Sequence, residues 1–178
     1  IPAEPLFRSF ALQLNQNKYP AQAIHRIDYE TSGLVLFCKH PFFQAYCDKN
    51  MEEHHIKKEY IALVQGHTNY KNKKIVSNIA RDRHNAKKMI IHPNGKESVS
   101  IFNTLKNYKD YSLIQVTILT GRKHQIRVQC ASLKHPILND SLYGGKKIDN
   151  TGLLLQSHHI QFNDVDITCP QEKRFIRK

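Results

Sequence analysis

The stretch "SLIQVTILT", residues 112–120, alternates apolar and polar residues more cleanly than any other part of the chain. Ile114, Val116 and Ile118 fall on one face when the side chains alternate, whereas a helix would need apolar residues every three or four positions. This pattern predicts a half-buried β-strand. It makes a sheet the organising element of the fold.

Further strands are predicted on both sides of this stretch. Residues 59–64 form an apolar run closed by Gly66, and residues 153–162 form a late strand. Residues 34–38 are typical of a short buried strand. Residues 98–105 alternate, and we expect Val99, Ile101 and Leu105 to face the core.

Two segments have helical spacing instead. After Pro41, the residues Phe42, Phe43, Tyr46 and Cys47 predict a helix that ends near residue 55. Between residues 123 and 133, a second apolar stripe is ended by a proline, because proline disfavours helical geometry in the residue before it. That stripe comprises Ile126, Cys130 and Leu133. Residues 71–88 form a basic, irregular stretch that is expected to be an excursion of the chain on the protein surface.

The order of these elements predicts an α+β fold with a mixed, mainly antiparallel sheet and few flanking helices. The chain has 178 residues and shows no repeat or Pro/Gly/Ser linker, so residues 1–178 are expected to form a single domain.

The charge balance favours a polyanionic partner. Lysine and arginine total 27 against 15 acidic residues, a net charge of +12, which favours a nucleic-acid partner over a basic surface that binds nothing in particular. The four cysteines form no CxxC pair, and the histidines lack metal-ligand spacing. We therefore expect no metal, no membrane span and a reducing, cytoplasmic location.

Several enzyme classes lack their sequence motifs here. The chain contains no GxGxxG, no GxxxxGK[ST] and no GxSxG. Dinucleotide binding, P-loop nucleotide binding and serine hydrolysis therefore have no support.

Four separated fragments share a different pattern: "HRIDYETSG" at 25–33, "KEYIALVQG" at 58–66, "LTGRKHQIRVQ" at 119–129 and "HPILNDSLYGG" at 135–145. In order and spacing they resemble the motifs of the RluA-type pseudouridine synthases, from about residue 23 to residue 162. The resemblance implies the pseudouridine synthase fold and isomerisation of specific uridines in structured RNA, without a cofactor or metal.

The resemblance assigns Asp28, Tyr60 and Arg127 to catalysis. On its own Asp28 is typical of a turn or helix-cap acid, but the four motifs together favour a nucleophile. Arg127 would keep Asp28 ionised, because a cation about 4 Å away contributes roughly 4 kcal/mol at an effective dielectric of 20. Tyr60 would lie against the target uracil, and its hydroxyl would relay a proton.

RNA binding is expected at the polar residues around these three. Arg26 would fill the space that a flipped uridine leaves, although an exposed salt-bridging arginine is the plainer interpretation. Leu63 and Ile126 would line the apolar side of the pocket, or simply pack in the core. The other predicted RNA-binding residues are His25, Lys58, Arg81, Arg83, Lys87, Lys88, Arg122, Lys123, His124 and Gln125.

Two other functions remain open at this point. The chain could be a non-catalytic basic RNA-binding protein of ribosome assembly, or a glycosylase that releases the base. Ribosomal RNA is the favoured substrate and transfer RNA the alternative, with the protein acting as a monomer.

Some departures from the family pattern bear on the chain's extent. The chain opens with "IPAEPLFRSF" where the family has an "NKPxG" strand, so some N-terminal sequence is expected to be missing. We expect no S4-type RNA-binding module. Lys123 replaces the commoner Thr, and Asn139 replaces Gly at a turn whose positive φ asparagine tolerates.

Overall fold

The computed structural model describes residues 21–176. The chain's opening stretch, residues 1–10, lies outside them. Two α-helices are present in the described part, α1 (Pro41–Glu52) and α2 (Gln125–Ser132), with a short 3-10 helix at Lys173–Phe175. The strands are β1 (Gln22–Ala23), β2 (Ser32–Gly33), β3 (Phe37–Cys38), β4 (Lys57–Gln65), β5 (Lys73–Arg81), β6 (Met89–Ile91), β7 (Lys96–Asn107), β8 (Tyr111–Ile118), β9 (Leu155–Phe162) and β10 (Val165–Thr168).

The main sheet has eight strands in the order β10-β9-β4-β8-β7-β5-β6, with β2 added beside β9. Its neighbours pair antiparallel except β2 and β9, which are parallel. The small strands β1 and β3 form a separate antiparallel pair. The predicted α+β class with a mixed, mainly antiparallel sheet is confirmed.

Strand β8 has the buried face that its sequence predicts. Ile114 and Val116 are fully buried and Ile118 nearly so. Strand β4 lies between β8 and β9, and residues 60–64 are buried on both faces of the sheet. This explains why residues 60–64 form a continuous apolar run without alternation.

The predicted face of β7 is wrong. Ser98, Ser100 and Phe102 are fully buried, whereas Leu105 is 52% exposed. The serines are buried because α2 packs on this face of β7, and glutamine side chains of α2 form hydrogen bonds with them. Gln125 Nε2 donates to Ser100 Oγ at 2.8 Å. Polar residues therefore occupy positions that an alternation rule assigns to apolar ones.

Two other predictions are also corrected. The residues expected to form a surface excursion include β5, a nine-residue strand paired with β6 and β7. Of the predicted strand at residues 34–38, only residues 37–38 form a strand, β3, and residues 34–36 lie between β2 and β3.

The first helix has the predicted position but not the predicted packing. Of its apolar stripe only Cys47 is buried, while Phe42 is 87% exposed and Phe43 61% exposed. Cys47 packs with Cys38 and Ile160 in a small second core beside the main one. The stripe of α2 behaves as expected, since Ile126 and Cys130 belong to the main core.

Candidate active site

An open cleft of about 730 Å³ lies between the two cores, a size typical of small-molecule and nucleotide pockets. Five parts of the chain line it: the loop between β1 and β2, the C-terminal end of α1, the start of β4, the segment from the end of β8 into α2, and the start of β9. These parts carry three of the four motifs singled out in the sequence. The fold thus brings separated motifs to a single cavity.

Asp28 lies in the cleft, on the loop before β2. Its backbone carbonyl accepts a hydrogen bond from the Thr31 N–H at 2.9 Å, which closes a tight turn. Gly33, in the same motif, has φ +102°, and a Cβ there would lie 2.1 Å from the Ser157 carbonyl oxygen. Glycine is therefore required where β2 joins β9, and this junction fixes the loop that presents Asp28.

Burial raises the pKa of Asp28 above its ordinary value. The Arg127 guanidinium opposes this shift most strongly, followed by a hydrogen bond from the backbone N–H of His124 and by the charges of Lys123 and Arg26. The cations thus offset the cost of burying the carboxylate only in part. Arg127 acts on Asp28 electrostatically, as expected, but burial has the larger effect, and the carboxylates that form ion pairs with Arg127 are Asp140 and Glu30 rather than Asp28.

Arg127 is held by other carboxylates. Its Nε and Nη2 donate to the two oxygens of Asp140, each at 2.8 Å, and Nη2 also donates to Glu30 at 3.1 Å. The side chain of Arg127 is 3% exposed and that of Asp140 is fully buried. This two-bond pairing fixes the plane of the guanidinium, so that its charge acts on Asp28 from a set position.

Tyr60 lines the cleft from β4 and is 6% exposed. Burial raises the pKa of its phenol to about 12, an effect that the Ser157 hydroxyl opposes and the Asp28 carboxylate increases. Tyr60 and Asp28 are therefore electrostatic neighbours in the cleft. The phenol keeps its proton at neutral pH.

Other predicted residues line the cleft but are already engaged in hydrogen bonds. His25 Nε2 accepts from the Leu36 N–H at 3.1 Å. The Gln125 amide bridges α2 to Thr120 and Ser100, and Arg122 Nε donates to the Glu97 carbonyl at 2.9 Å. Of these three, only the exposed Arg122 keeps part of its side chain free for a ligand.

The two histidines of these motifs are held neutral. Burial is the largest influence that lowers the pKa of His25 to about 4, followed by the charge of Lys58. Burial also lowers the pKa of His124 to about 4, with help from Arg127 and Lys123, while Asp140 works against the shift. Each histidine therefore has a nearby cation, Lys58 or Arg127, that disfavours its protonation.

The remaining predicted residues fall into two groups. Ile126 lines the cleft as expected, but Leu63 is fully buried in the main core and does not line it. Tyr60 and Leu63 are three residues apart, so they point to opposite faces of β4. The basic group Arg81, Arg83, Lys87 and Lys88 lies at the end of β5 and in the loop before β6, outside the cleft lining.

Sequence reasoning missed Asp140, Glu30 and Tyr143 as site residues. The Tyr143 ring lies under the Arg127 guanidinium, 5.2 Å from its Cζ, and its hydroxyl shares a hydrogen bond with His124 Nδ1 at 2.8 Å. Asp140 follows Asn139, whose φ of +64° confirms the expected turn. The signal was the fragment "NDSLYGG", in which the acid and the aromatic ring were present but unassigned.

Within residues 21–176, no three His, Cys, Asp or Glu side chains converge in an arrangement that could hold a metal ion. Over the same residues no helix is long and apolar enough to span a membrane.

The cleft therefore holds a buried acid that has a phenol and an anchored guanidinium as electrostatic neighbours. The profile of the RNA pseudouridylate synthase family matches residues 4–132. The chain belongs to this family, which confirms the resemblance seen in its motifs.

Individual relatives agree with this assignment. The chain is 37% identical over 139 residues to the uncharacterized RNA pseudouridine synthase YhcT of Bacillus subtilis, covering 77% of this chain and 46% of the relative. It is 32% identical over 174 residues to ribosomal large subunit pseudouridine synthase D of Borreliella burgdorferi, covering 95% and 52%. The chain thus spans about half the length of these relatives.

A solved structure supports the fold. Human RNA Pseudouridylate Synthase Domain Containing 1 superimposes with a TM-score of 0.77 at 25% identity, covering 85% of this chain and 69% of the human one. The expected pseudouridine synthase fold is confirmed.

Proposed function

We propose that this chain is an RNA uridine isomerase that converts uridine to pseudouridine, with Asp28, Tyr60 and Arg127 in the catalytic roles. One observation carries the proposal: Asp28 lies in a nucleotide-sized cleft as an electrostatic neighbour of both Tyr60 and Arg127. The three residues come from three separate motifs. A merely structural turn acid would have no reason to be the electrostatic neighbour of both.

The reaction breaks the bond between N1 of uracil and C1′ of ribose, turns the base, and joins C5 to C1′. The proton on C5 then leaves and N1 gains one, so atoms balance without an oxidant or reductant. Asp28 is the nucleophile or charge stabiliser of the first step, as carboxylates are in glycosidases. Ionised Asp28 is needed for this, and Arg127 favours that form.

Tyr60 would hold the detached uracil against its ring. Stacking of a base on an aromatic side chain contributes roughly 1–3 kcal/mol. Because the pKa of Tyr60 is raised to about 12, the phenol is a donor at neutral pH. It would act in the C5 proton step by giving up its own proton as it takes another.

Arg26 would occupy the space that the flipped uridine leaves in the RNA. Its side chain is exposed at the rim of the cleft, next but one to Asp28 in sequence. Base flipping costs a few kcal/mol in lost stacking and pairing, which a cation inserted among phosphates offsets. The exposed Arg122 and Lys123 on the opposite rim would bind the backbone.

Large-subunit ribosomal RNA is the favoured substrate, because relatives with that printed function align along 71–95% of this chain. Transfer RNA is the alternative. Action in the cytoplasm, as a single domain and a monomer, completes the proposal.

The first test is Asp28→Asn. This change keeps the shape of the side chain but removes its charge and nucleophilic oxygen, so we expect pseudouridine formation to fall by about a thousandfold or more. The assay uses RNA from cells that lack the gene, with pseudouridine mapped by chemical derivatisation.

Glu52→Gln is the matched control, because Glu52 is a second, exposed carboxylate in the cleft lining. We expect its rate to stay within a few-fold of the parent. Conversion by Asp28→Asn at a rate near that of the parent would exclude Asp28 as the catalytic acid. Release of free uracil by the parent protein would instead identify a glycosylase.

A further inference from the structure

Among residues 21–176, Lys58 is a buried cation without a carboxylate partner. It is 6% exposed, and its Nζ donates to the thioether sulfur of Met51 at 3.0 Å. Across residues 21–176 no Asp or Glu oxygen lies within 4 Å of this ammonium. A thioether is a weak acceptor, so the charge is poorly compensated.

The neighbouring Lys57 shows that the fold can provide a partner here. Lys57 is 47% exposed and forms an ion pair with Glu59 at 3.1 Å. The exposed Lys57 thus has an ion-pair partner, although an exposed ion pair contributes little to stability. The buried Lys58 has none among the described residues, although a partner would offset the larger cost of burying its charge. An isolated buried ammonium is costly, so its retention needs a reason outside the packing.

The position of Lys58 supplies that reason. Lys58 and Tyr60 are two residues apart on β4, so both face the cleft, about 7 Å apart along the strand. This is on the order of the span from a base to the phosphate of its own nucleotide. Burial lowers the pKa of Lys58, and His25 lies close enough to feel its charge.

We propose that Lys58 binds the backbone phosphate that adjoins the target uridine. When the uracil lies against Tyr60, the adjoining phosphate supplies the negative charge that no described carboxylate provides to Lys58. A desolvated ammonium gains more from a phosphate than from a neutral carbonyl, because the phosphate adds the attraction of an opposite charge, which is stronger away from bulk water. Lys58 would therefore set the depth to which the flipped nucleotide enters the cleft.

The inference rests on the proposed function for the identity of the base, but the anion site can be tested without any reaction. The probes are uridine, uridine 3′-monophosphate and uridine 5′-monophosphate, with dissociation constants measured by NMR titration. For the parent protein we expect one monophosphate to bind about tenfold or more tightly than uridine. The better monophosphate identifies the side of the uridine on which the phosphate lies.

The variant Lys58→Met keeps the length of the side chain and removes its charge. We expect it to reduce the monophosphate-to-uridine affinity ratio to about one, since only the phosphate contact is lost. Lys57→Met is the matched control, one residue away on the same strand, and should leave the ratio unchanged. Lys58→Arg, which keeps the charge, should retain part of the preference, and thermal unfolding curves would show that each variant folds.

Two results would overturn the proposal: a parent protein that binds uridine as tightly as both monophosphates, or an affinity ratio that Lys58→Met leaves intact. Failure of the isomerase proposal looks different. In that case no RNA gains pseudouridine, while the Lys58-dependent preference for the monophosphate persists.

Discussion

Two buried cations, Arg127 and Lys58, lie near the acid and the phenol of the cleft, and they differ in whether a carboxylate neutralises their charge. Arg127 forms two hydrogen bonds with the fully buried Asp140 and a third with Glu30. Lys58, almost as deeply buried, contacts a thioether. One charge is compensated within the fold and the other is left for a ligand.

The contrast separates two uses of a buried charge. A guanidinium locked by a carboxylate keeps one orientation whether or not substrate is present, so it can act on Asp28 at all times. An uncompensated ammonium destabilises the empty protein and gains its partner when an anion enters. The difference predicts opposite effects on stability when each charge is removed.

The largest effect is expected for Arg127→Met. This change leaves Asp140 buried and unpaired, which should lower the free energy of unfolding by about 3–5 kcal/mol, measured by urea denaturation. Arg122→Met, at an exposed arginine on the cleft rim, is the control and should stay within about 0.5 kcal/mol of the parent. A loss below about 1 kcal/mol for Arg127→Met would mean that the pair does not lock the guanidinium.

The histidines provide a pH test of intermediate size. His25 and His124 have pKa values of about 4 in the folded protein, against 6.5 when unfolded. The unfolded state therefore takes up these protons first, so their contribution to stability is complete above pH 6.5 and is lost as pH falls toward 4. The contribution is on the order of 2–3 kcal/mol for each histidine.

Each histidine also reports on one of the two cations. Removing the charge of Lys58 should raise the pKa of His25 but leave it below 6.5, because burial is the larger cause. Ring NMR signals followed through a pH titration of Lys58→Met measure this directly. An unmoved His25 together with a shifted His124 would contradict the assignment of Lys58 as the charge next to His25.

The smallest effect has the opposite sign from the first. In the absence of RNA, Lys58→Met should raise the free energy of unfolding by about 1–2 kcal/mol, because a buried ammonium is replaced by an apolar side chain. Lys57→Met should change it by less than about 0.5 kcal/mol. A clear loss of stability for Lys58→Met would show that its charge is compensated in the empty protein, and the two cations would no longer differ.

The sequence predicts the fold where burial follows apolar character. Strand β8 alternates because one face is buried, and the stripe of α2 is found in the core. Burial cannot be predicted from apolar character where the buried positions are polar. Ser98 and Ser100 are fully buried on β7, so the alternation rule wrongly assigns the opposite face, with Val99, Ile101 and Leu105, to the core.

The site shows the same division. The motifs place Asp28 and Tyr60 in the cleft correctly, because family spacing carries that information. Sequence alone does not reveal that Asp140 is the partner of Arg127, since the two lie in different motifs and meet through the turn at Asn139. Nor does it reveal that Lys58 is buried, whereas Lys57 is exposed and paired with Glu59.

The polar contact between α2 and the sheet determines the angular setting of the helix. Successive residues of a helix differ by about 100° around its axis, so a one-residue rotation would carry Arg127 away from Asp140. Apolar contacts are non-directional, so they would allow the helix to rotate about its axis at little cost in free energy. The side-chain amide of Gln125, in contrast, forms all its hydrogen bonds at only one rotation of the helix. Replacing Ser100 with a larger apolar residue would therefore displace the Arg127 guanidinium from Asp140, although Arg127 is not the residue substituted.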